Sequence, residues 1–437
     1  MKNSFYKKIW SIANEHIENG NMLLSKRPDS YLSDLWPTYY SKAKGCAVWD
    51  LKGKKFFDLC MMGVGTNVLG YSNTEINKEV KKAVNESNMS TLNSFHEVEL
   101  AKKLKKIHPW ADSVKFARTG GEANAIAVRI ARASSNTDKI AICGYHGWHD
   151  WYLALNNKNK KEFSTHHIKG IPDRNGVPSV LSKLIFAFNY NDIDHLKYLI
   201  EKKNIKIVKM EVERNIKPKN NFLNKVRSLC SKHKVILIFD ECTTGFRETL
   251  GGLHKRYKVN PDICIFGKAL GNGYPITAII GKKKIMKYTK NTFISSTFWT
   301  DRIGSVAALK TIDIIEKKKT FKKILLISSE IKKNWINIAK KNDLEIEIFG
   351  IDSILKFKFK SKDNNLYKGI ITYLMLKKGF LANTTIYVSI AHTKNILHKY
   401  FKELDNIFSI IKKIEKKIIP KNKFKIKLPI SDFKRFN

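Results

Sequence analysis

The sequence lacks several features that would assign it to a specialised class of protein. No apolar run approaches the roughly 20 residues of a membrane-spanning helix, and Asn, Glu and His interrupt the opening stretch MKNSFYKKIWSIANEHIENGN, unlike a signal peptide. Only six of the 437 residues are cysteines, and no two have CxxC spacing, which argues against a disulfide framework or a zinc site. We therefore expect a cytoplasmic protein with reduced thiols.

Acidic residues are also scarce, with 39 Asp and Glu against 81 Lys and Arg, which gives a net charge of +42. A charge of this size would suit a nucleic-acid or membrane-surface binder. However, Lys, Asn and Ile are abundant throughout, and basic runs such as Lys317–Lys319 lie on amphipathic helical patterns without an aromatic-interleaved strip. We interpret the charge as a drift in composition and expect neither a nucleic-acid nor a membrane partner.

Hydrophobic residues make up 43% of the chain, which indicates a folded protein. Residues 47–60 predict a hairpin, because two apolar runs flank a Lys-Gly turn. Short apolar runs then predict strands at 114–117, 140–143, 184–188, 205–210, 235–239 and 263–266. Helical periodicity occurs at 75–87, 97–107, 123–133 and 221–233. This alternation predicts a mainly parallel sheet that is covered by helices on both faces.

Beyond residue 305 the pattern changes to a long helix at 305–317, a second helix, strands near 345–360 and 386–391, and a helix at 367–378. We expect a small α+β domain made from both ends of the chain, residues 1–75 and 306–437. A large α/β domain, residues 76–305, is expected between them.

Three sequence features lie at the carboxyl ends of predicted strands, where ligands bind in open parallel sheets. The first is Thr119-Gly120-Gly121, which precedes a helix. Two backbone amides at a helix N-terminus form an anion site, and Thr119 offers a hydroxyl. An ordinary strand-to-helix turn explains the same residues, so this loop is weak evidence on its own.

The second feature is the apolar run Val235–Phe239, which ends in Asp240-Glu241. A carboxylate at the end of a buried strand is costly without a partner, and the N–H of a protonated pyridine ring is a suitable partner. A metal ligand or a helix N-cap explains the same pattern.

The third feature is Lys268, which follows the apolar run at 263–266 and Gly267. Burial favours a neutral amine, and a neutral amine attacks an aldehyde to form a Schiff base. The alternative is a surface lysine. Together the three features supply the phosphate cradle, ring-nitrogen carboxylate and aldehyde lysine that pyridoxal 5′-phosphate (PLP) requires.

Longer stretches carry a more specific resemblance. They include RTGGEANAIAVRIAR, YHGWHD, FDECTTGFRETLGG, NPDICIFGKALGNGYPITAIIG and SSTFWT. Over residues 36–400 the sequence resembles the class III aminotransferases, and within them it is most similar to glutamate-1-semialdehyde 2,1-aminomutase and its relatives. The resemblance implies PLP as cofactor and the fold type I of PLP-dependent transferases, which is that of aspartate aminotransferase.

The resemblance also implies a role for each candidate residue. Lys268 matches the Schiff-base lysine and Asp240 the ring-nitrogen carboxylate. The remaining positions match cofactor-binding residues: Thr119, Gly120 and Gly121 for the phosphate, Tyr145 for stacking on the ring, Glu211 for a nearby strand-end glutamate, and Thr297 for the phosphate in the partner subunit. Thr297 implies a homodimer with shared active sites. Glu213 is an alternative to Glu211, and Tyr145 is alternatively a core aromatic.

Other features depart from the family pattern or argue against a metal site. The phosphate loop of the family reads Ser-Gly-Thr, whereas Gly121 here replaces the second hydroxyl residue. The C-terminal region lacks the arginine that binds substrate carboxylates in many relatives, which leaves Arg214 and Arg247 as candidates. His146 and His149 are three residues apart, but no further ligand completes a metal site, so we expect none.

These departures favour transfer between two molecules, from a small amino donor to a carbonyl acceptor such as a semialdehyde, keto acid or keto sugar. The first alternative is intramolecular transfer of the aminomutase type. A catalytically silent binding or scaffold relative is the second alternative, and Lys268 and Asp240 argue against it.

Overall fold

The computed structural model describes residues 5–155 and 176–429. The chain divides into two compact units. The smaller unit contains the described residues up to 73 and from 323 onward, and the larger unit contains the described part of 74–322. The larger unit therefore extends beyond the sequence-based limit of 305, because the helix Ile303–Lys318 packs on helices from the start of that unit.

The N-terminal part of the smaller unit begins with helix α1 (Phe5–His16). Strands β1 (Tyr40–Lys44), β2 (Ala47–Asp50) and β3 (Lys55–Leu59) follow, then the short helix α2 (Met62–Gly65). Strands β2 and β3 pair antiparallel, with Val48 opposite Phe56, around a turn in which Gly53 has φ +77°. The hairpin predicted at 47–60 is therefore present.

The larger unit is built around a seven-stranded sheet in the order β4-β10-β9-β8-β7-β5-β6. The strands are β4 (Ser113–Ala117), β5 (Ile140–Cys143), β6 (Ile185–Ala187), β7 (Ile207–Glu211), β8 (Ile236–Glu241), β9 (Ile263–Phe266) and β10 (Thr277–Gly281). Only β10 runs antiparallel to its neighbours within this sheet. The sheet is thus mainly parallel, as predicted, and β10 is a strand that the sequence analysis did not identify.

Helices surround this sheet. They are α3 (Thr74–Asn85), α4 (Phe95–Ile107), α5 (Gly120–Ser135), α6 (Asp150–Leu153), α7 (Ile193–Lys202), α8 (Phe222–Lys232), α9 (Lys283–Met286) and α10 (Ile303–Lys318). Helix α5 packs Ala123, Ala127 and Ile130 into a core shared with Ile238 and Ile265 of the sheet. Burial of each large aliphatic side chain contributes about 1.5–3 kcal/mol, so this core fixes the start of α5 relative to the strands.

The C-terminal elements complete the smaller unit. They are α11 (Thr320–Lys341), β11 (Ile346–Phe349), β12 (Ile354–Phe359), α12 (Asn364–Lys377), β13 (Phe380–Ala382), β14 (Thr385–Tyr387) and α13 (Lys394–Glu415). Strand β13 joins β3 in a sheet of order β1-β2-β3-β13, and β11, β12 and β14 form a second sheet. Among the described helices, none has the length and apolar character of a membrane span.

Candidate active site

The predicted site residues of the larger unit lie at one edge of its sheet. Thr119 follows β4, Tyr145 follows β5, Glu211 ends β7, Asp240 lies in β8 and Lys268 follows β9. These five strands all run in the same direction, since β10 is antiparallel to both β4 and β9. Their carboxyl ends therefore meet at the edge where parallel sheets bind ligands.

Lys268 opens a 3-10 turn directly after β9 and has φ +44°, in the left-handed region. Such a backbone costs a non-glycine residue about 1–3 kcal/mol. The Lys268 Nζ donates a hydrogen bond of 2.7 Å to Oγ1 of Thr243, which is buried after β8. Sequence analysis did not identify Thr243, although it lies only three residues beyond Asp240.

Asp240 is 5% exposed, and both of its carboxylate oxygens accept hydrogen bonds. Oδ2 accepts from Nδ1 of His146 at 2.9 Å, and Oδ1 accepts from the Cys242 backbone N–H at 3.1 Å. Burial alone would raise the pKa of Asp240, but the charge of Lys209 and the His146 hydrogen bond hold it well below its usual range. The carboxylate is therefore ionised at neutral pH.

His146 was considered from the sequence only as half of a rejected metal pair, and the structure gives it a different position. It is fully buried beside Asp240, and burial is the largest cause that lowers its pKa. A neutral His146 donates from Nδ1 to the ionised Asp240, so its Nε2 carries a lone pair. Within the described part of the chain, that Nε2 has no hydrogen-bond partner.

Thr119 is the N-cap residue of α5, and its side chain takes part in a capping box with Glu122. Its Oγ1 accepts from the Glu122 N–H at 3.3 Å and donates to the Glu122 carboxylate at 3.0 Å. The hydroxyl predicted to contact phosphate is thus engaged within the helix cap. The amides of Gly120 and Gly121 open α5 and have no acceptor within the helix, which leaves them directed at the site.

Gly121 leaves space that His149 fills. A Cβ atom at position 121 would lie 2.6 Å from Cε1 and 2.8 Å from Nδ1 of His149, and 3.3 Å from Nε1 of Trp148. The Nδ1 of His149 is buried and lacks a hydrogen-bond partner among the described residues. The departure of this chain from a Ser-Gly-Thr loop therefore has a steric reason, because a side chain at 121 would collide with the imidazole.

Glu211 and Tyr145 are in direct contact. The Tyr145 backbone N–H donates to Oε2 of Glu211 at 3.1 Å, and the half-buried Tyr145 ring packs edge-on against Tyr152 at 5.8 Å. The alternative glutamate, Glu213, accepts a hydrogen bond from the Tyr257 hydroxyl instead. Of the two glutamates, Glu211 is the one that contacts the aromatic loop after β5.

Thr297 lies in an exposed 3-10 turn, Thr297–Thr300. Trp299 holds this turn against the cap of α5, since its indole N–H donates to Oε1 of Glu122 at 3.2 Å. Arg118 also donates to the Trp299 carbonyl at 2.9 Å. The turn is therefore fixed next to the Gly120–Gly121 amides, with the Thr297 side chain exposed in the single chain.

The two candidate arginines are both buried, so neither is the solvated surface charge that a loop arginine usually is. Arg247 is 1% exposed, and its Nε donates to the Thr243 carbonyl at 2.7 Å. Arg247 thereby supports the residue that contacts Lys268. Arg214 is 2% exposed and follows Glu213 after β7.

A buried group of possible metal ligands lies next to the site, formed by Glu241, His254 and Cys264. His254 Nδ1 and Glu241 Oε1 are 2.6 Å apart, and the Glu241 carboxylate also accepts from the Thr244 hydroxyl at 2.7 Å. These hydrogen bonds occupy the Glu241 oxygens. Through these hydrogen bonds, Glu241 holds the segment after β8 in place.

Comparisons with known proteins identify the family and the fold. The family model "Aminotransferase class-III" matches residues 32–415. The 3-aminobutyryl-CoA aminotransferase of Cloacimonas acidaminovorans is 31% identical over 79% of this chain and 82% of that protein. The glutamate-1-semialdehyde 2,1-aminomutase of Methanothrix thermoacetophila is 31% identical over 83% and 88%. In structure, the PLP internal aldimine form of Sphingopyxis FumI matches with a TM-score of 0.84 and 21% identity, over 95% of this chain and 98% of that one.

Proposed function

Because the chain belongs to the class-III aminotransferases, which depend on PLP, we propose that it carries an amino group from a small donor to a separate carbonyl acceptor. The proposed acceptor is a semialdehyde, a keto acid or a keto sugar. One observation supports this most: Lys268, Asp240 and the Gly120–Gly121 amides converge at one edge of one sheet. These are the partners that an aldehyde, a ring nitrogen and a phosphate need.

The chemistry of the residues fits such a cofactor. When bound, PLP supplies an aldehyde that condenses with amines and a ring that takes up electrons from the substrate carbon. The N-terminal amides of α5 suit its phosphate. An ionised, buried Asp240 suits a protonated ring nitrogen, and the half-buried Tyr145 offers a flat aromatic face.

In the proposed mechanism, the Lys268 amine would hold the cofactor aldehyde and, once an amino donor has taken its place, would carry the proton that leaves the substrate carbon. Thr243 would orient this amine through the 2.7 Å hydrogen bond. Asp240, held in place by His146, would keep the ring nitrogen protonated.

We further propose a homodimer with shared active sites, in which Thr297 reaches the cofactor phosphate of the partner subunit. Several large apolar side chains of the larger unit are exposed in the single chain, namely Leu92, Phe95, Phe293 and Phe298. Large apolar side chains that a single chain leaves exposed are typical of interfaces when they form one patch. Sedimentation velocity at micromolar concentration tests this proposal, and a monomer would contradict it.

A cytoplasmic location is proposed from the six buried free thiols.

A second candidate function is intramolecular transfer of the aminomutase type, which the relative from Methanothrix thermoacetophila supports. The two functions differ in their need for a second substrate. We propose to give the PLP-loaded protein an amino donor without acceptor and to follow the cofactor absorbance, then to add candidate carbonyl acceptors. Conversion by a donor and recovery by a separate acceptor support transfer between molecules. Turnover of glutamate-1-semialdehyde alone, over many equivalents, would instead support the aminomutase.

A further inference from the structure

Lys209 is a buried lysine in the middle of the central sheet that the proposed mechanism does not use. It lies in β7 with 0% exposure, and its Nζ has no hydrogen-bond partner within the described residues. A buried ammonium without compensation costs several kcal/mol. Most other inner positions of β7 and β8 are apolar, and an apolar residue at position 209 would make the fold more stable. The lysine is therefore expected to serve the function of the site rather than its stability.

The register of the sheet places Lys209 on the same face as Asp240, diagonal to it on the neighbouring strand. Glu211 pairs with Asp240 across β7 and β8, and Lys209 lies two residues earlier on β7. Side chains two residues apart lie on the same face of a strand, and two residues span about 6.6 Å. The charge of Lys209 therefore acts on the Asp240 carboxylate without a hydrogen bond between the two side chains.

Lys209 also lies between the strands that lead to His146 and Asp240. It pairs with Ile142 of β5, the strand before His146, and with Ile238 of β8. His146 has an unpartnered buried Nε2, just as Lys209 has an unpartnered buried Nζ. His146 Nδ1 is hydrogen-bonded to Asp240 at 2.9 Å, so each of these two buried basic side chains lies close to Asp240 in the fold.

Lys209 and His146 share two of their ionisable neighbours, Asp240 and Glu211. The ionisable groups that face Lys209 are Asp240, Glu211, Cys242 and Cys264, and those that face His146 are Lys209, Asp240 and Glu211. Burial raises the pKa of both thiols well above the usual range, so they are neutral. The Lys209 charge lowers the pKa of both Asp240 and His146. Burial lowers the pKa of Lys209, and the charge of Asp240 opposes that shift. When protonated, Lys209 offsets the Asp240 carboxylate and opposes a second positive charge on His146.

We infer that Lys209 is a positioning residue of the cofactor site, which keeps Asp240 ionised and His146 neutral so that the Nδ1 proton of His146 stays directed at the carboxylate. Its effect on the cofactor ring rests on the proposed role of Asp240. The arrangement of Lys209, Asp240 and His146 does not depend on that proposed role, so it is tested in the protein without cofactor.

The first test follows the protonation of His146 by ¹⁵N NMR of histidine-labelled apoprotein, with His146→Gln to assign the signal. In the wild type and in Lys209→Arg, His146 is expected to stay neutral from pH 8.5 to 5.5. In Lys209→Met, which keeps the length and loses the charge, His146 is expected to become protonated within this pH range. An unchanged His146 signal in folded Lys209→Met would overturn the inference. Lys358→Met, at a half-exposed strand lysine, is the matched control.

The second test is a double-mutant cycle on thermal unfolding of the apoprotein. Lys209→Met is expected to lower Tm in the wild type, because it leaves Asp240 uncompensated, and to raise Tm in the Asp240→Asn background. If the single variant does not fold, the same coupling requires that the double variant does. A rise in Tm in both backgrounds, or failure of both variants to fold, would contradict the inference. Neither test needs PLP, so a failure here is distinguishable from a failure of the proposed function.

Discussion

The carboxylate of Asp240 accepts a 2.9 Å hydrogen bond from Nδ1 of His146, and both side chains are buried. Asp240 is the penultimate residue of β8, whereas His146 lies 94 residues earlier, after β5. A hydrogen bond to a charged group is worth about 1.5–3 kcal/mol. The pair therefore fixes the orientation and charge of the carboxylate on which the proposed mechanism depends.

Removal of the imidazole is expected to weaken cofactor binding. In His146→Ala, Asp240 loses a donor, and about 1.5–3 kcal/mol of lost interaction corresponds to roughly a tenfold to hundredfold higher Kd for PLP. Absorbance titration of the apoprotein with PLP measures this change. His398→Ala, at an exposed histidine of α13, is the control and is expected to bind like the wild type. Equal affinity in His146→Ala would show that the hydrogen bond does not support the site.

Loss of the Thr243 hydroxyl is expected to slow catalysis more than it weakens cofactor binding. Thr243→Val removes the acceptor of the Lys268 amine while keeping the side-chain shape. A neutral hydrogen bond contributes about 1 kcal/mol, so kcat is expected to fall roughly fivefold to tenfold with little change in PLP affinity. Thr243→Ser, which keeps the hydroxyl, should restore most of the rate. A Ser variant as slow as the Val variant would exclude an orienting role for the hydroxyl.

Restoring the threonine of the family at position 121 is expected to damage the phosphate loop. Gly121→Thr places a Cβ within 2.8 Å of two ring atoms of His149, and overpacking of this kind costs about 1–3 kcal/mol. Both Tm and PLP affinity are expected to fall, and Gly121→Thr with His149→Ala should recover them in part. Tighter PLP binding by the single variant would contradict this prediction, because it would mean that the His149 imidazole moves away from the new side chain without loss of binding free energy.

Acid pH is expected to destabilise the larger unit partly through His108. Burial, and next the charge of His254, lower the pKa of His108 from 6.5 to about 3. Below pH 6.5 the unfolded chain therefore binds a proton at His108, whereas the folded chain does so only near pH 3. The contribution of His108 to the free energy of unfolding is thus fully present above pH 6.5 and is lost as the pH falls toward 3. At pH 5 the loss is about 2 kcal/mol.

Urea unfolding at pH 7 and pH 5 tests this effect, with His108→Gln as the variant. The variant is expected to lose less stability between the two pH values than the wild type. The other buried histidines with lowered pKa values, His146 and His392, contribute in the same direction and remain in both proteins. The same pH dependence in the variant and the wild type would contradict the assignment to His108.

The sequence predicted those features that are encoded locally. The class III aminotransferase resemblance, its PLP dependence and its fold type are confirmed. Lys268 and Asp240 were recognisable because each follows a short apolar run, and the alternation of such runs with helices indicated a mainly parallel sheet. The roles of the individual site residues stay predictions.

The remaining features depend on pairing between distant segments. The contact of His146 with Asp240 joins the ends of β5 and β8, which β7 separates, and Lys209 lies within the otherwise mainly apolar β7. Strand β13 has only three residues and exists because it pairs with β3, more than 300 residues earlier. The engagement of the Thr119 hydroxyl by Glu122, in contrast, is encoded locally as a Thr-x-x-Glu capping box.

The central claim, that Lys268 holds the cofactor, is tested most directly by reductive trapping. The purified protein is loaded with PLP, reduced with borohydride and digested, and the modified peptide is identified by mass spectrometry, with Lys268→Ala as the control. We expect the wild type to carry a reduced pyridoxyl group on Lys268, and the variant to lose this modification together with the visible absorbance of the bound aldehyde. Trapping at a different lysine, or a wild-type protein that takes up no PLP, would contradict the account.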